Sequence, residues 1–404
     1  MKVLLIGSGG REHAIGWKLA QSPRVKELIS LPGNPGLAEL GPVVEGIGVA
    51  EVGAIAAMAR VHGVDLVVVG PEAPLAAGVA DALQRLGIPA FGPTRAAARL
   101  ESSKAFAKDV MTRAGVATGG SEHFDDPDAA KRYLERSEGP FVVKADGLAG
   151  GKGVLVTESR SDAASWVDHW IESGPIVIED YLEGPEVSVF AVCTSSGAVP
   201  LEPARDYKRL LEGDEGPNTG GMGAYSPVGD LPAGLVDSTM SEVIAPTLAQ
   251  MEEDGSPFTG FLYAGLVLTT EGPRVLEFNV RLGDPETQAV LPRMTTDLVD
   301  VLEGAVPEWS DRATVNVVLA ARGYPTAPQA GDEIRGVNGG LGEDVLVFHA
   351  GTAAEGKKLF VDGGRVLDVV GMGDTLEMAR DRAYEAVSRI SWPGMEFRSD
   401  IAGQ

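Results

Sequence analysis

The sequence is poor in cysteine and in positive charge, and it has no long uncharged apolar run. Its one cysteine, Cys193, cannot form an intrachain disulfide, which excludes a disulfide-stapled secreted fold and leads us to expect a cytoplasmic protein. No stretch reaches the ~18 apolar residues that a membrane helix needs, so we expect no membrane partner. The 34 Lys and Arg against 58 Asp and Glu give a net charge of −24, which disfavours non-specific binding to nucleic acid.

Several common ligand-binding patterns are also missing. The five histidines show no ligand spacing, so no zinc site is predicted. The turn at residues 7–10 has Glu12 where the dinucleotide fingerprint needs glycine, which leaves a small phosphate site or a ligand-free turn as alternatives. Around Lys152, Asp146 and Gly153 occupy the positions that a Walker A loop gives to glycine and to serine or threonine, so no P-loop is present.

The length of 404 residues suggests two to three domains. In residues 1–100, short apolar strands alternate with helical patterns, including one helix predicted from Leu75 to Leu86. That alternation is typical of a doubly wound parallel sheet covered on both faces. The chain is therefore predicted to begin with an N-terminal α/β domain.

The rest of the chain reads as two further domains. Residues 101–312 form the predicted central domain, with a small α+β lid subdomain at about residues 119–183 and then a larger antiparallel sheet. Residues 313–404 form the predicted C-terminal α+β domain. The predicted fold class is thus α/β and α+β multidomain.

The most informative loop runs from Lys144 to Gly153. Four glycines in its last seven residues, between two predicted strands, favour a mobile hairpin tip whose backbone can close over phosphates. Lys144 ends the first strand and would face the same cleft as a phosphate-binding cation. The alternative is an ordinary flexible hairpin with a solvated lysine.

A second candidate site lies on a later strand, where Glu277, Asn279 and Arg281 alternate with apolar residues. At a period of two, these polar groups share one strand face, and the other face holds Leu276, Phe278, Val280 and Leu282. A carboxylate beside an amide oxygen suits Mg²⁺, although an outward polar edge is the alternative. The mixed charges of residues 206–209 are more typical of a solvated face, and Cys193 is predicted to be core.

Taken together, these motifs resemble one family along the whole chain, the glycinamide ribonucleotide synthetases of the ATP-grasp superfamily. The matching segments are residues 7–13, 32–34, 70–75, 103–106, 144–153, 217–227, 260–265, 277–286 and 398–401. The resemblance implies an N-terminal substrate domain, a central ATP-grasp fold with a lid, and a C-terminal domain.

The same resemblance implies an activity. Enzymes of this family ligate glycine to 5-phosphoribosylamine with ATP in purine biosynthesis, giving glycinamide ribonucleotide, ADP and phosphate through glycyl phosphate. The implied small-molecule partners are ATP, glycine and 5-phosphoribosylamine, with Mg²⁺ or Mn²⁺, and a monomer or weak homodimer is expected. The alternatives are another ATP-grasp ligase or carboxylase of purine metabolism, and a non-catalytic nucleotide sensor.

Roles at the nucleotide end also follow from the resemblance. The residues implied to contact the ATP phosphates are Lys104, Lys144, Gly150 and Gly151. The residues implied to line the adenine and ribose are Glu179, Tyr181, Leu182 and Glu186. The implied metal ligands are Glu277 and Asn279.

Further roles are implied at the acceptor end. The residues expected to face 5-phosphoribosylamine are Gly10, Asn34 and Glu72. Those expected at the reacting centre are Asp206, Arg281, Gly283 and Asp284. Of these, Asp206, Arg281 and Asp284 form the predicted catalytic set together with Lys144, and Gly283 is expected to bind substrate. The chain departs from the family pattern at several positions, among them Tyr207, which stands where histidine is common, and Ala402, which stands where glycine is common.

Overall fold

The computed structural model describes residues 1–148, 153–337 and 339–403. Its N-terminal elements are β1 (Lys2–Gly7), α1 (Gly10–Ala20), β2 (Glu27–Pro32), α2 (Pro35–Ala38), α3 (Val52–Val61), β3 (Leu66–Val69), α4 (Glu72–Ala77), α5 (Val79–Arg85), β4 (Ala90–Phe91) and α6 (Arg99–Ser102). The strands form a parallel sheet in the order β2-β1-β3-β4. Along β1, Leu4 and Ile6 enter one apolar core and Val3 and Leu5 enter another. The predicted sheet covered on both faces is therefore confirmed.

The predicted single helix from Leu75 to Leu86 is wrong. Gly78 separates α4 from α5, and its φ of +91° lies in the left-handed region that only glycine adopts without a steric penalty. Helix α4 begins at Glu72, after a two-residue turn that follows β3. A carboxylate predicted to contact substrate thus stands at the carboxyl edge of the parallel sheet, where open α/β sheets bind their ligands.

The lid follows the N-terminal region. Helix α7 (Lys104–Arg113) leads into it, and the lid itself contains β5 (Ser121–Phe124), α8 (Pro127–Arg136), β6 (Phe141–Ala145), β7 (Val154–Thr157), α9 (Arg160–Trp170) and β8 (Ile176–Glu179). The antiparallel sheet has the order β5-β8-β6-β7 and shares a small core with both lid helices. The lid is therefore the compact α+β unit that the sequence predicts.

The middle of the chain builds a larger sheet. The strands in this part of the chain are β9 (Glu186–Thr194), β10 (Gly197–Pro200), β11 (Arg205–Asp206), β12 (Arg209–Leu211), β13 (Glu215–Asn218), β14 (Gly223–Ser226), β15 (Gly260–Thr269) and β16 (Gly272–Asn279), and the helices are α10 (Leu235–Thr239), α11 (Ala245–Glu253), α12 (Glu286–Val290) and α13 (Leu298–Leu302). Strands β10, β9, β15 and β16 form the predicted antiparallel sheet. Cys193 lies fully buried in β9, and burial raises the pKa of its thiol to about 12. Its predicted place in the core is confirmed.

The C-terminal region reaches back into the middle of the chain. Its elements are β17 (Ala313–Ala320), β18 (Glu333–Ile334), β19 (Val345–His349), β20 (Thr352–Glu355), β21 (Lys358–Val361), β22 (Arg365–Gly373) and α14 (Leu376–Val387). The main sheet has the order β11-β14-β17-β22-β19, so two strands that precede residue 313 complete it. This pairing brings residues 205–226 against C-terminal side chains. Across the described ranges, no helix is long and apolar enough to cross a bilayer.

Candidate active site

A cleft of about 1800 Å³ lies where the N-terminal sheet, the lid, the antiparallel sheet and the C-terminal region meet. Twelve of the predicted site residues line it: Glu72, Lys104, Lys144, Glu179, Tyr181, Leu182, Glu186, Asp206, Glu277, Asn279, Arg281 and Asp284. These residues come from all parts of the chain before the C-terminal region. The fold thus gathers most of the predicted site into one space.

Other predicted site residues lie elsewhere. Gly10 and Gly283 sit behind the lining, and a Cβ on either would lie within 2.0–2.5 Å of a buried side chain, Asp368 or Glu286 respectively. The Asn34 side chain is turned away from the cleft, because its amide group caps α2 and donates to the carbonyl oxygens of Ser8 and His349. Gly150 and Gly151 fall outside the described residues.

The Glu12 side chain packs against the turn between β1 and α1. The Gly9 N–H donates to the Glu12 carboxylate at 2.7 Å, and the Arg11 guanidinium pairs with the same carboxylate at 2.5 Å. A Cβ on Gly7 would meet the Glu12 side chain at 2.3 Å. The buried Glu12 thus pairs with the Gly9 N–H and packs against Gly7, which favours the ligand-free interpretation of this turn.

Three lysines gather at the lid end of the cleft. Lys144, at the end of β6, donates from Nζ to Glu179 Oε2 at 2.9 Å, and Lys108 on α7 pairs with the same oxygen at 3.0 Å. Lys104, at the first turn of α7, donates to the Gly147 carbonyl oxygen at 3.0 Å. Burial lowers the pKa of Lys104, although the Glu277 carboxylate opposes that shift. The cluster carries more positive than negative charge at the place where the glycine loop begins.

The middle of the cleft pairs carboxylates with one lysine. Lys208 contacts Glu186 through an ion pair, and the Asp206 and Glu186 carboxylates hold the pKa of Lys208 well above its usual value against the effect of burial. Burial by itself would raise the pKa of Glu277, but the charges of Lys208 and Lys144 hold this pKa below its usual value. Burial, with the nearby charge of Glu286, raises the pKa of Asp206 to about 7. Glu277 is therefore ionised, whereas Asp206 can hold or release a proton near neutral pH.

Sequence reasoning missed Lys208, because the mixed charges of residues 206–209 were expected on a solvated face. That expectation is wrong for Asp206 and Lys208, which are partly buried and line the cleft. The partners of Lys208 come from β9 and β16, which are distant in sequence. The only local signal is its position two residues after Asp206.

Arg281 connects the antiparallel sheet with the N-terminal region. Its guanidinium pairs with Glu101 at 3.0 Å and with Glu72 at 3.4 Å, and it donates to Asn279 Oδ1 at 2.9 Å. Asn279 in turn donates from Nδ2 to Glu277 Oε1 at 3.3 Å. The three polar residues of the predicted strand face thus form one connected chain of contacts in the cleft.

The apolar face of that strand differs from the prediction at one residue. Gly265 pairs with Glu277 and Leu266 with Val275, so Leu276 is the extra residue of a β-bulge. Leu276 is half-buried, lines the cleft and does not belong to the apolar core, whereas Phe278 is buried in that core. The placement of Leu276 on the core face is wrong, and the cleft gains an apolar side chain beside Glu277.

A second residue that sequence reasoning missed is Arg365, at the start of β22. Its guanidinium pairs with the Asp284 carboxylate at 2.8 Å and donates to the carbonyl oxygens of Asp284 and Gly220. The Gly220 N–H donates to the Tyr324 hydroxyl at 2.9 Å. The C-terminal region therefore holds both the Gly220 loop and the Asp284 turn in place.

Asp368 predicts a pH dependence of stability. Burial and the nearby Asp284 charge raise the pKa of this carboxyl to about 7. Between the ordinary aspartate pKa and 7, the folded state holds a proton that the unfolded state releases, so the free energy of unfolding falls as the pH rises. Asp368→Asn keeps that group neutral, and we expect the variant to gain stability relative to wild type from pH 5 to pH 8.

Urea unfolding at several pH values measures this gain. Asp374→Asn is the matched control, because Asp374 is exposed six residues further along the chain. A stability difference between Asp368→Asn and wild type that stays constant from pH 5 to pH 8 would contradict the assignment.

Two of the departures from the family pattern, Tyr207 and Ala402, contact each other. The Ala402 N–H donates to the Tyr207 hydroxyl at 2.9 Å, and Ala402 has a φ of +53°. Tyr207→Phe leaves that backbone N–H without its partner, so we expect the free energy of unfolding to fall by about 1–2 kcal/mol. Urea titration checks this loss against Tyr181→Phe, whose hydroxyl lies on an exposed residue. Equal small effects of the two variants would show that the contact contributes nothing.

Comparison with known families gives matches over nearly the whole chain. The model of the phosphoribosylglycinamide synthetase N domain matches residues 1–101, that of its ATP-grasp (A) domain matches residues 102–287, and that of its C domain matches residues 314–404. The phosphoribosylamine–glycine ligase of Streptomyces coelicolor is 49% identical over 416 residues, covering 100% of this chain and 99% of that protein. The same enzyme of Rhizobium meliloti is 46% identical and covers 99% and 98% respectively.

Solved structures give the same picture. The crystal structure of phosphoribosylamine–glycine ligase from Thermotoga maritima matches with a TM-score of 0.86 and 36% identity, covering 99% of this chain and 100% of that one. A biotin carboxylase domain from Hydrogenobacter thermophilus matches with a TM-score of 0.73 at 17% identity, covering 98% and 91%. The second likeness shows the fold alone.

Proposed function

The chain belongs to the phosphoribosylglycinamide synthetase family, and we propose that the cleft described above is where it joins glycine to 5-phosphoribosylamine. The protein is an ATP-dependent, ADP-forming ligase of purine biosynthesis, as are its full-length relatives. This assignment of the cleft rests on how charged side chains are distributed along it. Lysines gather at the lid end, and Arg281 lies among carboxylates at the other end.

The lid end of the cleft binds ATP. Lys104 and Lys144 both lie where the glycine loop begins and supply the cations that a triphosphate needs. Phosphoryl transfer depends mostly on positioning and on charge neutralisation, which fits a site built from lysines. Glu186 and the segment from Glu179 to Leu182 border the same space and are the candidates for ribose and adenine contacts.

The residues for a divalent metal ion are Glu277 and Asn279. Within the described residues, no group of three or more His, Cys, Asp and Glu is arranged to hold a metal. The two oxygens nevertheless fit Mg²⁺ or Mn²⁺, since the ion takes few protein ligands and completes its shell with phosphate and water. Glu277 is ionised, and Asn279 Oδ1 has a second lone pair beyond the one that Arg281 uses. When bound, the ion neutralises charge on the phosphates.

The first step transfers a phosphoryl group to glycine. A carboxylate oxygen of glycine forms a bond to the γ-phosphorus of ATP as the bond to ADP breaks, which gives glycyl phosphate and ADP. Two anions must meet in this step, so cations are needed between them. Lys208 and Arg281 are placed for this task, because both line the cleft close to Glu277 and Asn279.

The second step forms the amide. The amine of 5-phosphoribosylamine attacks the carbonyl carbon of glycyl phosphate, phosphate leaves with one oxygen of the original glycine carboxylate, and the nitrogen loses a proton. We assign Asp206 as the group that takes this proton, since its carboxylate lines the cleft and burial raises its pKa to about 7. Glu72 faces the cleft from the N-terminal sheet and is the candidate contact for the amine substrate.

Measuring ADP release with each co-substrate omitted in turn tests this function. We expect full turnover only when ATP, a divalent metal, glycine and 5-phosphoribosylamine are all present. Bicarbonate or formate replacing glycine with equal activity would instead favour one of the carboxylate-activating relatives. Glycine-independent ADP release that matches the full reaction would contradict the proposal.

A further inference from the structure

Lys108 is a buried lysine to which the reaction above gives no role. It is 6% exposed and lies one helical turn after Lys104 on α7. Its ammonium donates to Thr118 Oγ1 at 2.8 Å and to the Gly119 carbonyl oxygen at 3.2 Å, and it pairs with Glu179 at 3.0 Å. A buried ammonium with three partners is held in one position, which a merely solvated lysine is not.

Those partners lie where the chain enters and leaves the lid. Thr118 and Gly119 precede β5, the first lid strand, and Glu179 ends β8, the last one. These two segments, which connect the lid with the rest of the protein, also contact each other, because the Gly120 N–H donates to Asp180 Oδ2 at 3.0 Å. Lys108 belongs to α7, the helix that leads into the lid, so its contacts connect both of these segments to one helix.

The Glu179 carboxylate is oriented by two cations. Lys144 and Lys108 both reach Oε2, at 2.9 and 3.0 Å. Within the described ranges, no protein donor reaches the other oxygen, Oε1, although the side chain is only 3% exposed and lines the cleft. Two donors on one oxygen fix the carboxyl plane and leave Oε1 as an acceptor for a ligand in the cleft.

A fixed carboxylate oxygen discriminates between nucleobases. Adenine carries an amino group, a hydrogen-bond donor, at position 6, whereas hypoxanthine and guanine carry an oxygen there. A carboxylate oxygen accepts a hydrogen bond from the 6-amino group of adenine and repels the 6-oxygen of hypoxanthine or guanine. A site built to hydrogen-bond one group rejects the analogue that lacks it, because the buried polar atom is then left unpaired.

We propose that Lys108 is a positioning residue that holds the Glu179 carboxylate for the 6-amino group of adenine and so determines the preference for ATP over 6-oxopurine nucleotides. This inference rests on the proposed function, because it takes the lid end of the cleft as the nucleotide site. Lys108 acts through Glu179, whereas Lys144 also faces the phosphates.

The test compares ATP with inosine triphosphate in Lys108→Met. We expect the ratio of kcat/KM for the two nucleotides to fall about tenfold or more, mainly through a higher KM for ATP. With saturating ATP, kcat should stay within about threefold of wild type, since the phosphate contacts remain. An unchanged ratio in a folded variant would overturn the proposal.

A double-mutant cycle separates positioning from a general structural role. Glu179→Gln should itself lower the ATP preference, and adding Lys108→Met should then change the ratio little, because both act through one contact. Full additivity of the two effects would overturn the proposal. Should Lys108→Met fail to fold, Thr118→Val keeps the side-chain volume, removes one partner of the ammonium and should shift the ratio in the same direction; no shift would overturn it.

Arg113→Met is the matched control. Arg113 lies on the same helix and makes an exposed ion pair with Asp254, so its loss should leave the nucleotide ratio unchanged. The two levels of inference fail separately. Wild-type ADP release that needs no glycine would sink the proposed function, whereas an active wild type whose nucleotide preference survives in Lys108→Met would sink only the role of Lys108.

Discussion

Lys144→Met is expected to lose a factor of 10²–10³ in kcat, or ~3–4 kcal/mol of transition-state stabilisation. The ammonium lies buried in the cleft beside the start of the glycine loop, where charge shifts during phosphoryl transfer. Methionine keeps the length of the side chain and removes the cation. The fold should survive, because Glu179 keeps its contact with Lys108.

The pattern of kinetic constants distinguishes a catalytic cation from a binding one. Affinity for ATP should weaken less than turnover does if the contact strengthens in the transition state. Lys144→Arg should rescue only in part, since a planar guanidinium does not replace a compact point charge. The measurements are kcat, KM for ATP and the Kd of ATP.

Lys131→Met is the control for this variant. Lys131 lies on the same lid, in helix α8, and its partner Asp168 is an exposed residue of the other lid helix. We expect that variant to keep wild-type turnover. Near-normal kcat in Lys144→Met as well would show that Lys144 serves only to pair with Glu179.

Glu277→Ala is expected to abolish metal-dependent turnover, a loss on the order of 10³ or more. Glu277 is the one carboxylate that we assign to the metal ion, and Lys208 and Lys144 keep it ionised. Without it, the phosphates lose the neutralising charge of the ion, and the two lysines lose a nearby anion. Circular dichroism and urea unfolding should show that the fold remains.

Nucleotide binding supplies a readout independent of turnover. In wild type, adding Mg²⁺ should tighten ATP binding, and in Glu277→Ala that gain should disappear while metal-free binding stays. Glu271→Ala is the control, because Glu271 lies on the exposed turn of the same hairpin and pairs with Arg274. Wild-type activity of Glu277→Ala across a magnesium titration would contradict the assignment.

The sequence predicts best what depends on local pattern. Short apolar runs predict the strands of the N-terminal sheet and three of the four lid strands, because buried strands need continuous apolar side chains. The polar strand β5 has no such run and is not predicted. The period of two also places Glu277, Asn279 and Arg281 on one face, as the structure has them. These features need no information about distant partners.

The failures share a physical cause, which is dependence on contacts distant in sequence. Leu276 leaves the core face because a bulge forms against Gly265 and Leu266, and no local pattern marks such a bulge. Lys208 and Arg365 are cleft residues only through partners on other elements. The break at Gly78 does have a local cause, but a glycine inside a helical pattern is often tolerated.

Transfer of isotope from glycine to phosphate tests the reaction in this cleft most directly. Glycine labelled with ¹⁸O in both carboxylate oxygens is turned over with ATP and 5-phosphoribosylamine, and the released phosphate is analysed by mass spectrometry. A glycyl phosphate intermediate predicts one ¹⁸O in each phosphate released, because phosphate departs with an oxygen of the carboxylate. Unlabelled phosphate accompanying full formation of glycinamide ribonucleotide would contradict that mechanism.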